Sequence, residues 1–152
     1  YMILIIHTDG GARGNPGPAA GGVVIERQDE SKVESQKSKV LVVEFGKRIG
    51  ETTNNVAEYT AVIEALKEVK SLKSKVKSEI QFFLDSNLVV QQLNGKFKVK
   101  DAKLRELLIA VRMLEQEVGG EVSYDYVPRE ENRRADLLVN QALDAPPHVS
   151  LL

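Results

Sequence analysis

The stretch 51-ETTNNVAEYTAVIEAL-66 decides the fold, because it predicts a helix that carries one carboxylate on its apolar face. At 100° per residue, Glu58 falls beside Ala61, Val62 and Ala65, while the other charged residues of the helix fall on the far side. A buried carboxylate without a partner costs on the order of several kcal/mol. The sequence therefore predicts that Glu58 has a partner outside its own helix.

The composition is that of an ordinary globular protein. With 152 residues, 42% hydrophobic and 28% charged, the chain can bury a sizeable core. We expect a single domain over residues 1–145 and a flexible tail over residues 146–152. There is neither a run of 18 apolar residues nor a recognisable signal peptide, so no membrane partner is expected.

The chain has no cysteine, which excludes disulfides, thiolate catalysis and zinc sites built with cysteine. This fits a reducing compartment, and we expect a cytoplasmic monomer. The net charge is -1, so any binding of nucleic acid must use local patches. Two basic patches lie at 67–77 and 95–105, and the first of them is read more simply as a solvated helix end.

Hydrophobic periodicity predicts the order β-β-β-α-β-α-α-β-α. The predicted strands are MILIIHT, GVVIERQ, KVLVVEFGKR, EIQFFL and EVSYDYV, of which the first and fourth read as covered on both faces. The predicted helices are 54–70, capped by Thr53 or Asn54, then 86–95, 102–118 and 131–143. Glycine and proline predict a turn segment over 9–22, and charged residues predict a hairpin loop at 29–38.

The connections in this order constrain the sheet. Hairpins join the first three strands, and right-handed crossovers place the two later strands parallel to the first. The sequence therefore predicts an α/β fold with a five-stranded mixed sheet, three antiparallel strands followed by two parallel ones, flanked by helices.

Four acidic residues are predicted to converge at one edge of this sheet. Asp9 and Asp85 each follow a buried strand, Glu58 faces the sheet, and Asp136 lies at the boundary of the last helix's buried face. Mg²⁺ prefers oxygen ligands, and two such ions can clamp both sides of a phosphoryl transfer. Singly, the acids could equally be turn or cap residues, or in the case of Asp136 a partner of Arg133.

Four segments carry a resemblance to a known family: TDGGARGNPGPAAGG, ETTNNVAEYTAVIEAL, DSNLVVQQLNGKFKVK and VPREENRRADLLVNQAL. Together they resemble ribonuclease H of type 1 over residues 2–143. The resemblance implies a ribonuclease H-like fold and a catalytic domain. It also implies an endoribonuclease that hydrolyses the RNA strand of RNA/DNA hybrids, leaving 5′-phosphate and 3′-hydroxyl ends.

The resemblance further implies two Mg²⁺ ions, or Mn²⁺ in their place, held by Asp9, Glu58, Asp85 and Asp136 as catalytic residues. Asp9 would bridge both ions, and Glu58 and Asp85 would complete the ion on the leaving-group side. Asp136 would complete the ion that carries the attacking water. The residues agree with this, because they offer no serine, cysteine or histidine constellation for a covalent nucleophile.

Substrate contacts are also implied by the resemblance. The 2′-hydroxyl that distinguishes RNA is both donor and acceptor, as are asparagine amides. Turn and cap chemistry remains the alternative for the asparagines. The positions implied are the backbone of Gly10 and Gly11, the side chains of Asn15, Asn54 and Asn55, Thr53 for a DNA phosphate, and Lys96 and Lys98.

Two departures from the family pattern are visible. Many members carry a histidine in the loop before the last helix, but this loop reads PREENRR. We expect His7 to pack near the carboxylates without catalysing, and His148 to take no part, so the enzyme would work without a general-base histidine. The second departure is a missing basic protrusion, for which Lys96, Lys98 and Lys100 are a reduced substitute.

Two other functions stay open at this point. One is another nuclease of the same fold, such as a 3′-5′ exonuclease. The other is a catalytically inactive module that binds hybrids or RNA. Terminal rather than internal cleavage would indicate the first, and binding without cleavage in Mg²⁺ or Mn²⁺ would indicate the second.

Overall fold

The computed structural model describes residues 2–28, 38–72 and 78–146. Its strands are β1 (Met2–Ala12), β2 (Gly17–Gln28), β3 (Lys39–Thr52), β4 (Ser78–Leu84) and β5 (Glu121–Tyr126). They form one sheet in the order β3-β2-β1-β4-β5. The pairs β1–β2 and β2–β3 are antiparallel, whereas β1–β4 and β4–β5 are parallel, which confirms the predicted mixed sheet.

The helices follow the predicted order. They are α1 (Asn54–Ser71), α2 (Asn87–Leu93), α3 (Ala102–Val118) and α4 (Arg133–Asp144), with a 3₁₀ turn at Arg129–Glu131 before α4. The cap of α1 is Thr53, whose hydroxyl accepts a hydrogen bond from the backbone N–H of Val56 at 3.3 Å. Ser86 and Asp101 cap α2 and α3 in the same way.

The main core lies between the sheet and the helices α1, α2 and α3. On the other face, α4 packs against β1, β2 and β3. The prediction that both faces of β4 are covered was therefore wrong, because alternate residues of β4 such as Gln81 and Phe83 are only half-buried. A continuous apolar run shows that a strand is central, but not how far a helix extends over its second face.

The predicted turn segment 9–22 is mostly strand, which is a second correction. β1 continues to Ala12 and β2 begins at Gly17, so only residues 13–16 form the turn. The glycines permit close approach of helices to the sheet. A Cβ on Gly10 would lie 2.2 Å from the carbonyl carbon of Ala57 in α1, and one on Gly22 would lie 2.2 Å from the carbonyl oxygen of Ala135 in α4.

Several predictions fall outside the described residues. They include most of the hairpin loop predicted at 29–38, the end of the basic patch 67–77, and the tail with His148. Within the described ranges, no helix is long and apolar enough to cross a membrane.

Candidate active site

The parallel pairing of β1 with β4 brings two aspartates to one edge of the sheet. His7 lies opposite Phe83 in the register, and Asp9 and Asp85 each follow two residues later. Asp85 comes directly after β4, as predicted. Asp9 lies within β1, three residues before the strand's last residue, whereas the sequence placed it at the strand's end. Although β1 extends further than predicted, Asp9 and Asp85 still lie at corresponding positions along the two parallel strands.

Glu58 reaches these aspartates from α1. The helix can approach because Gly10 has no side chain, and Glu58 is 5% exposed and Asp9 7%. One carboxylate oxygen each from Asp9, Glu58 and Asp85 lie within 4.8 Å of one another. The burial of Glu58 agrees with its phase on the predicted helix.

The fourth acid joins the same cleft from α4. Asp136 is half-buried in the first turn of that helix, and it adds to the rise in the pKa of Asp9 that burial and Asp85 cause. The cleft has a volume of about 390 Å³. It is lined by all four acids together with Gly10, Gly11, Ala12, Arg13, Asn54, Asn55, Ser86, Arg129, Val139, Asn140 and Leu143.

The electrostatics of the cleft are those of uncompensated acids. Burial first, and then the charge of Asp85, raises the pKa of Asp9 from 3.8 to about 8. Burial also raises the pKa of Glu58 well above its ordinary value, with further increases from Asp9 and Asp85. Burial likewise raises the pKa of Asp85, although Arg129 opposes the change. Arg129 lies 3.9 Å from Asp85 and is 82% exposed, so its charge is largely screened by solvent.

The oxygen atoms of the cleft fit a divalent cation. Oε2 of Glu58 and Oδ2 of Asp85 are buried and accept no hydrogen bond. Buried acceptors of this kind are rare and costly unless a ligand satisfies them. Mg²⁺ and Mn²⁺ prefer such carboxylate oxygens. Among the described residues, no other group of acids and histidines has three ligand atoms this close together.

The asparagines join the loop after β1 to the start of α1. Oδ1 of Asn15 accepts a hydrogen bond from the backbone N–H of Asn54 at 3.0 Å. Oδ1 of Asn54 accepts one from the backbone N–H of Ala12 at 2.8 Å. The amide oxygens are thus used within the protein, while neither Nδ2 donates to another described residue. The turn and cap interpretation therefore holds for the two amide oxygens, and contact of the Nδ2 groups with a substrate stays a prediction.

The remaining predicted contacts lie outside the lining of the cleft. Thr53 caps α1, and Asn15 supports Asn54 from behind. Lys96 and Lys98 lie in the loop between α2 and α3, which is anchored by the hydrogen bond from the backbone N–H of Lys96 to the carbonyl of Gln91 at 2.9 Å. Phe97 of this loop is 49% exposed, so it is not a core residue.

His7 is not part of the cleft. Its ring stacks on Phe83 with centroids 5.3 Å apart, and it lines a separate cavity of about 400 Å³ with Glu131 and Arg134. Burial lowers the pKa of His7. This position agrees with the expected packed residue rather than a catalyst.

Sequence reasoning missed Asn132, which is 1% exposed and lies directly before α4. An asparagine at that position has the usual pattern of a helix cap, so the sequence contains no signal of another role. Its Nδ2 instead donates to the backbone carbonyl of Thr8 at 2.9 Å.

Comparisons with known proteins agree with this geometry. The family described as reverse transcriptase-like matches residues 7–142. The bifunctional protein Rv2228c of Mycobacterium tuberculosis is 39% identical over 144 residues, covering 95% of this chain and 36% of that protein. The ribonuclease HI of Halobacterium salinarum is 40% identical over 136 residues, covering 90% of this chain and 62% of that protein. The chain thus spans about a third of the length of the mycobacterial relative.

Solved structures give the same assignment. LC11-RNase H1, solved in complex with an RNA/DNA hybrid, superposes with a TM-score of 0.80 at 43% identity. The match covers 93% of this chain and 96% of that one. These similarities confirm the resemblance seen in the four sequence segments, and the chain belongs to the type 1 ribonuclease H family.

Proposed function

We propose that this chain is an endoribonuclease that hydrolyses the RNA strand of RNA/DNA hybrids, leaving 5′-phosphate and 3′-hydroxyl ends. One observation carries the proposal. Asp9, Glu58 and Asp85 place carboxylate oxygens within 4.8 Å of one another, and a buried oxygen of Glu58 and one of Asp85 accept no hydrogen bond. Membership of the family and the hybrid bound to LC11-RNase H1 support the choice of substrate.

The four acids would hold two Mg²⁺ ions, or Mn²⁺ in their place. Asp9 is suited to serve both ions because it lies beside Glu58 and Asp85 and also interacts with Asp136. Bound divalent ions would polarise phosphate oxygens and lower the pKa of water. The acids themselves would bind the cations, and their negative charge would keep a phosphate out until a cation is present.

No histidine stands in the loop before α4, so this chain must manage proton transfer without one there. Arg129 occupies that loop, 3.9 Å from Asp85. Its guanidinium cannot accept a proton at physiological pH, so its role would be to attract phosphate oxygens.

The asparagines would select RNA by donating hydrogen bonds. The amide oxygens of Asn15 and Asn54 are already occupied by backbone N–H groups, so only their Nδ2 groups would be left to bind a ligand, as donors. A 2′-hydroxyl can accept such a bond, and a deoxyribose offers nothing at that position. Asn55 lines the cleft next to Asn54, together with Gly10 and Gly11.

Contacts to the phosphate backbone would extend beyond the cleft. Thr53 would hold a phosphate of the DNA strand, while Lys96 and Lys98 would attract the hybrid through charge. A cytoplasmic location and a monomeric state remain predictions from the sequence.

The test uses an end-labelled RNA strand in four forms: paired with DNA, alone, in duplex RNA, and as one ribonucleotide within DNA. Each form is incubated with Mg²⁺, Mn²⁺ or EDTA, with wild type and Asp85→Asn. We expect metal-dependent internal cuts in the hybrid that Asp85→Asn loses. Cuts only from one end would indicate an exonuclease instead. Binding of the hybrid without cuts in either metal would indicate an inactive binding module.

A further inference from the structure

Asn132 joins two parts of the chain that are 124 residues apart. Its side-chain Nδ2 donates to the carbonyl of Thr8 at 2.9 Å, and Thr8 is the neighbour of Asp9 in β1. Asn132 is 1% exposed, and Thr8 is fully buried. This hydrogen bond therefore ties the start of α4 directly to the strand that carries Asp9.

Asn132 also lies next to two more acids, Asp136 and Asp85. The backbone carbonyl of Asn132 accepts a hydrogen bond from the backbone N–H of Asp136 at 3.2 Å. This bond fixes the position of Asp136 in the first turn of α4. The side-chain amide of Asn132 also lies close enough to Asp85 to interact with that carboxyl. Asn132 thus contacts or adjoins three of the four acids.

Helix capping does not explain this side chain. A capping asparagine accepts a hydrogen bond from the first turn of its helix, but the side chain of Asn132 makes none. Its Oδ1 is buried without a partner. The amide donates to β1 instead, so its hydrogen bond joins the start of α4 to the strand that carries Asp9.

We propose that Asn132 is a positioning residue that holds Asp85 and Asp136 at fixed places relative to Asp9. The inference deepens the proposed function and rests on it. Because β1 and α4 meet here across the sheet, loss of the hydrogen bond to Thr8 would let the start of α4 shift relative to β1. The carboxylates would then have to be rearranged each time a divalent cation binds.

The experiment compares Asn132→Ala and Asn132→Leu with wild type. The leucine variant keeps the branched shape and the number of heavy atoms of the side chain and removes its polar atoms, so it leaves no cavity. Asn94→Ala is the matched control, because Nδ2 of Asn94 also donates to a strand carbonyl, that of Tyr124, at 3.0 Å. Asn94 lies outside the lining of the acidic cleft.

The first readout is Mg²⁺ binding to metal-free protein by isothermal titration calorimetry, well below the melting temperature (Tm). We expect both Asn132 variants to bind Mg²⁺ about 10- to 100-fold more weakly, the range for loss of a residue behind a metal ligand. In hybrid cleavage, we expect kcat to fall at a given Mg²⁺ concentration while KM for the hybrid is unchanged. Asn94→Ala should leave Mg²⁺ binding as in wild type.

A folded Asn132 variant that binds Mg²⁺ as wild type does would overturn the inference, even with a lower Tm. Failure of both variants to fold would also overturn it, because Asn132 would then be a structural residue of the whole domain. Failure of the proposed function looks different: wild type would bind Mg²⁺ and leave every RNA substrate intact. The Asn132 comparison of Mg²⁺ binding would still be readable in that case.

Discussion

Two groups of residues in this protein, one around Glu115 and one around the acids of the cleft, differ in whether their carboxylates have hydrogen-bond partners within the chain. On α3, Glu115 accepts a hydrogen bond from the Tyr124 hydroxyl at 2.6 Å and two from Arg112 at 2.9 and 3.1 Å. Arg112 also donates to the carbonyl of Leu93 at the end of α2. In the cleft, Glu58 is more deeply buried, and its Oε2 has no hydrogen-bond partner.

The difference shows what each group does for the fold. The Glu115 network is complete within the chain, so it joins α2, α3 and β5 at little cost in unsatisfied charge. In the cleft, burial and then the repulsion between neighbouring acids raise the pKa values of Asp9 and Glu58. The protein gives up stability there to keep a site ready for an external cation.

The largest expected effect separates the two groups by activity. Glu58→Gln removes a charge that would hold a cation. Loss of a residue that only supports a metal ligand typically lowers activity about 10- to 100-fold, so the rate of hybrid cleavage should fall by more than this. Glu115→Gln, which makes the same chemical change outside the cleft, should retain cleavage. Single-turnover assays at 25 °C on both variants give the measurement. Equal losses of cleavage in Glu58→Gln and Glu115→Gln would contradict the distinction between the two groups.

The same pair of variants should move Tm in opposite directions when metal is absent. Glu115→Gln replaces a charge-assisted acceptor for Arg112, at a cost of about 1–3 kcal/mol. Glu58→Gln relieves a buried repulsion, so the protein should melt higher at neutral pH. Each kcal/mol corresponds to about 2–4 °C for a chain of this size. Calorimetry in EDTA measures both, and a lower Tm for Glu58→Gln would contradict the assigned repulsion.

The pH dependence of stability sharpens the comparison through Asp9. Its pKa is raised from 3.8 to about 8, so between these values the native state holds a proton that the unfolded state releases. The stability contributed by Asp9 is therefore complete below about pH 4 and is lost as pH rises through about 8. Tm of the metal-free protein should fall across this window, and the fall should be smaller in Asp9→Asn. Thermal melts from pH 5 to 9 compare the two, and parallel curves would refute the assignment.

The smallest expected effect concerns exposed charges outside both groups. Changing Lys96 and Lys98 together to Gln should weaken hybrid binding and reduce the slope of log K against log[salt] by up to about 2. Binding titrations of the Asp85→Asn background at several salt concentrations measure this. Lys47→Gln, on β3 beside Glu64 and outside both basic patches, is the control. An unchanged slope in the double variant would show that neither Lys96 nor Lys98 contacts the phosphates of the hybrid.

The features recovered from sequence are those with local causes. The bounds of α1 follow from the Thr53 cap and the 3.6-residue period, both of which act within a few residues. The sheet order follows from hairpins and right-handed crossovers. The glycines of 9–22 misled the prediction, because glycine marks a turn locally but here permits helices to approach a strand.

By itself, the sequence determined that Asp9, Glu58, Asp85 and Asp136 meet at one edge of a mixed sheet, because helix phase and strand order are encoded by residue type and spacing. Only the tertiary structure decided that oxygens of three of these acids lie within 4.8 Å of one another, and that an oxygen of Glu58 and one of Asp85 accept no hydrogen bond. It also decided the hydrogen bond from Asn132 to Thr8. Distances across a sheet depend on how closely the helices pack on it. Contacts between residues 124 positions apart leave no periodic trace along the chain.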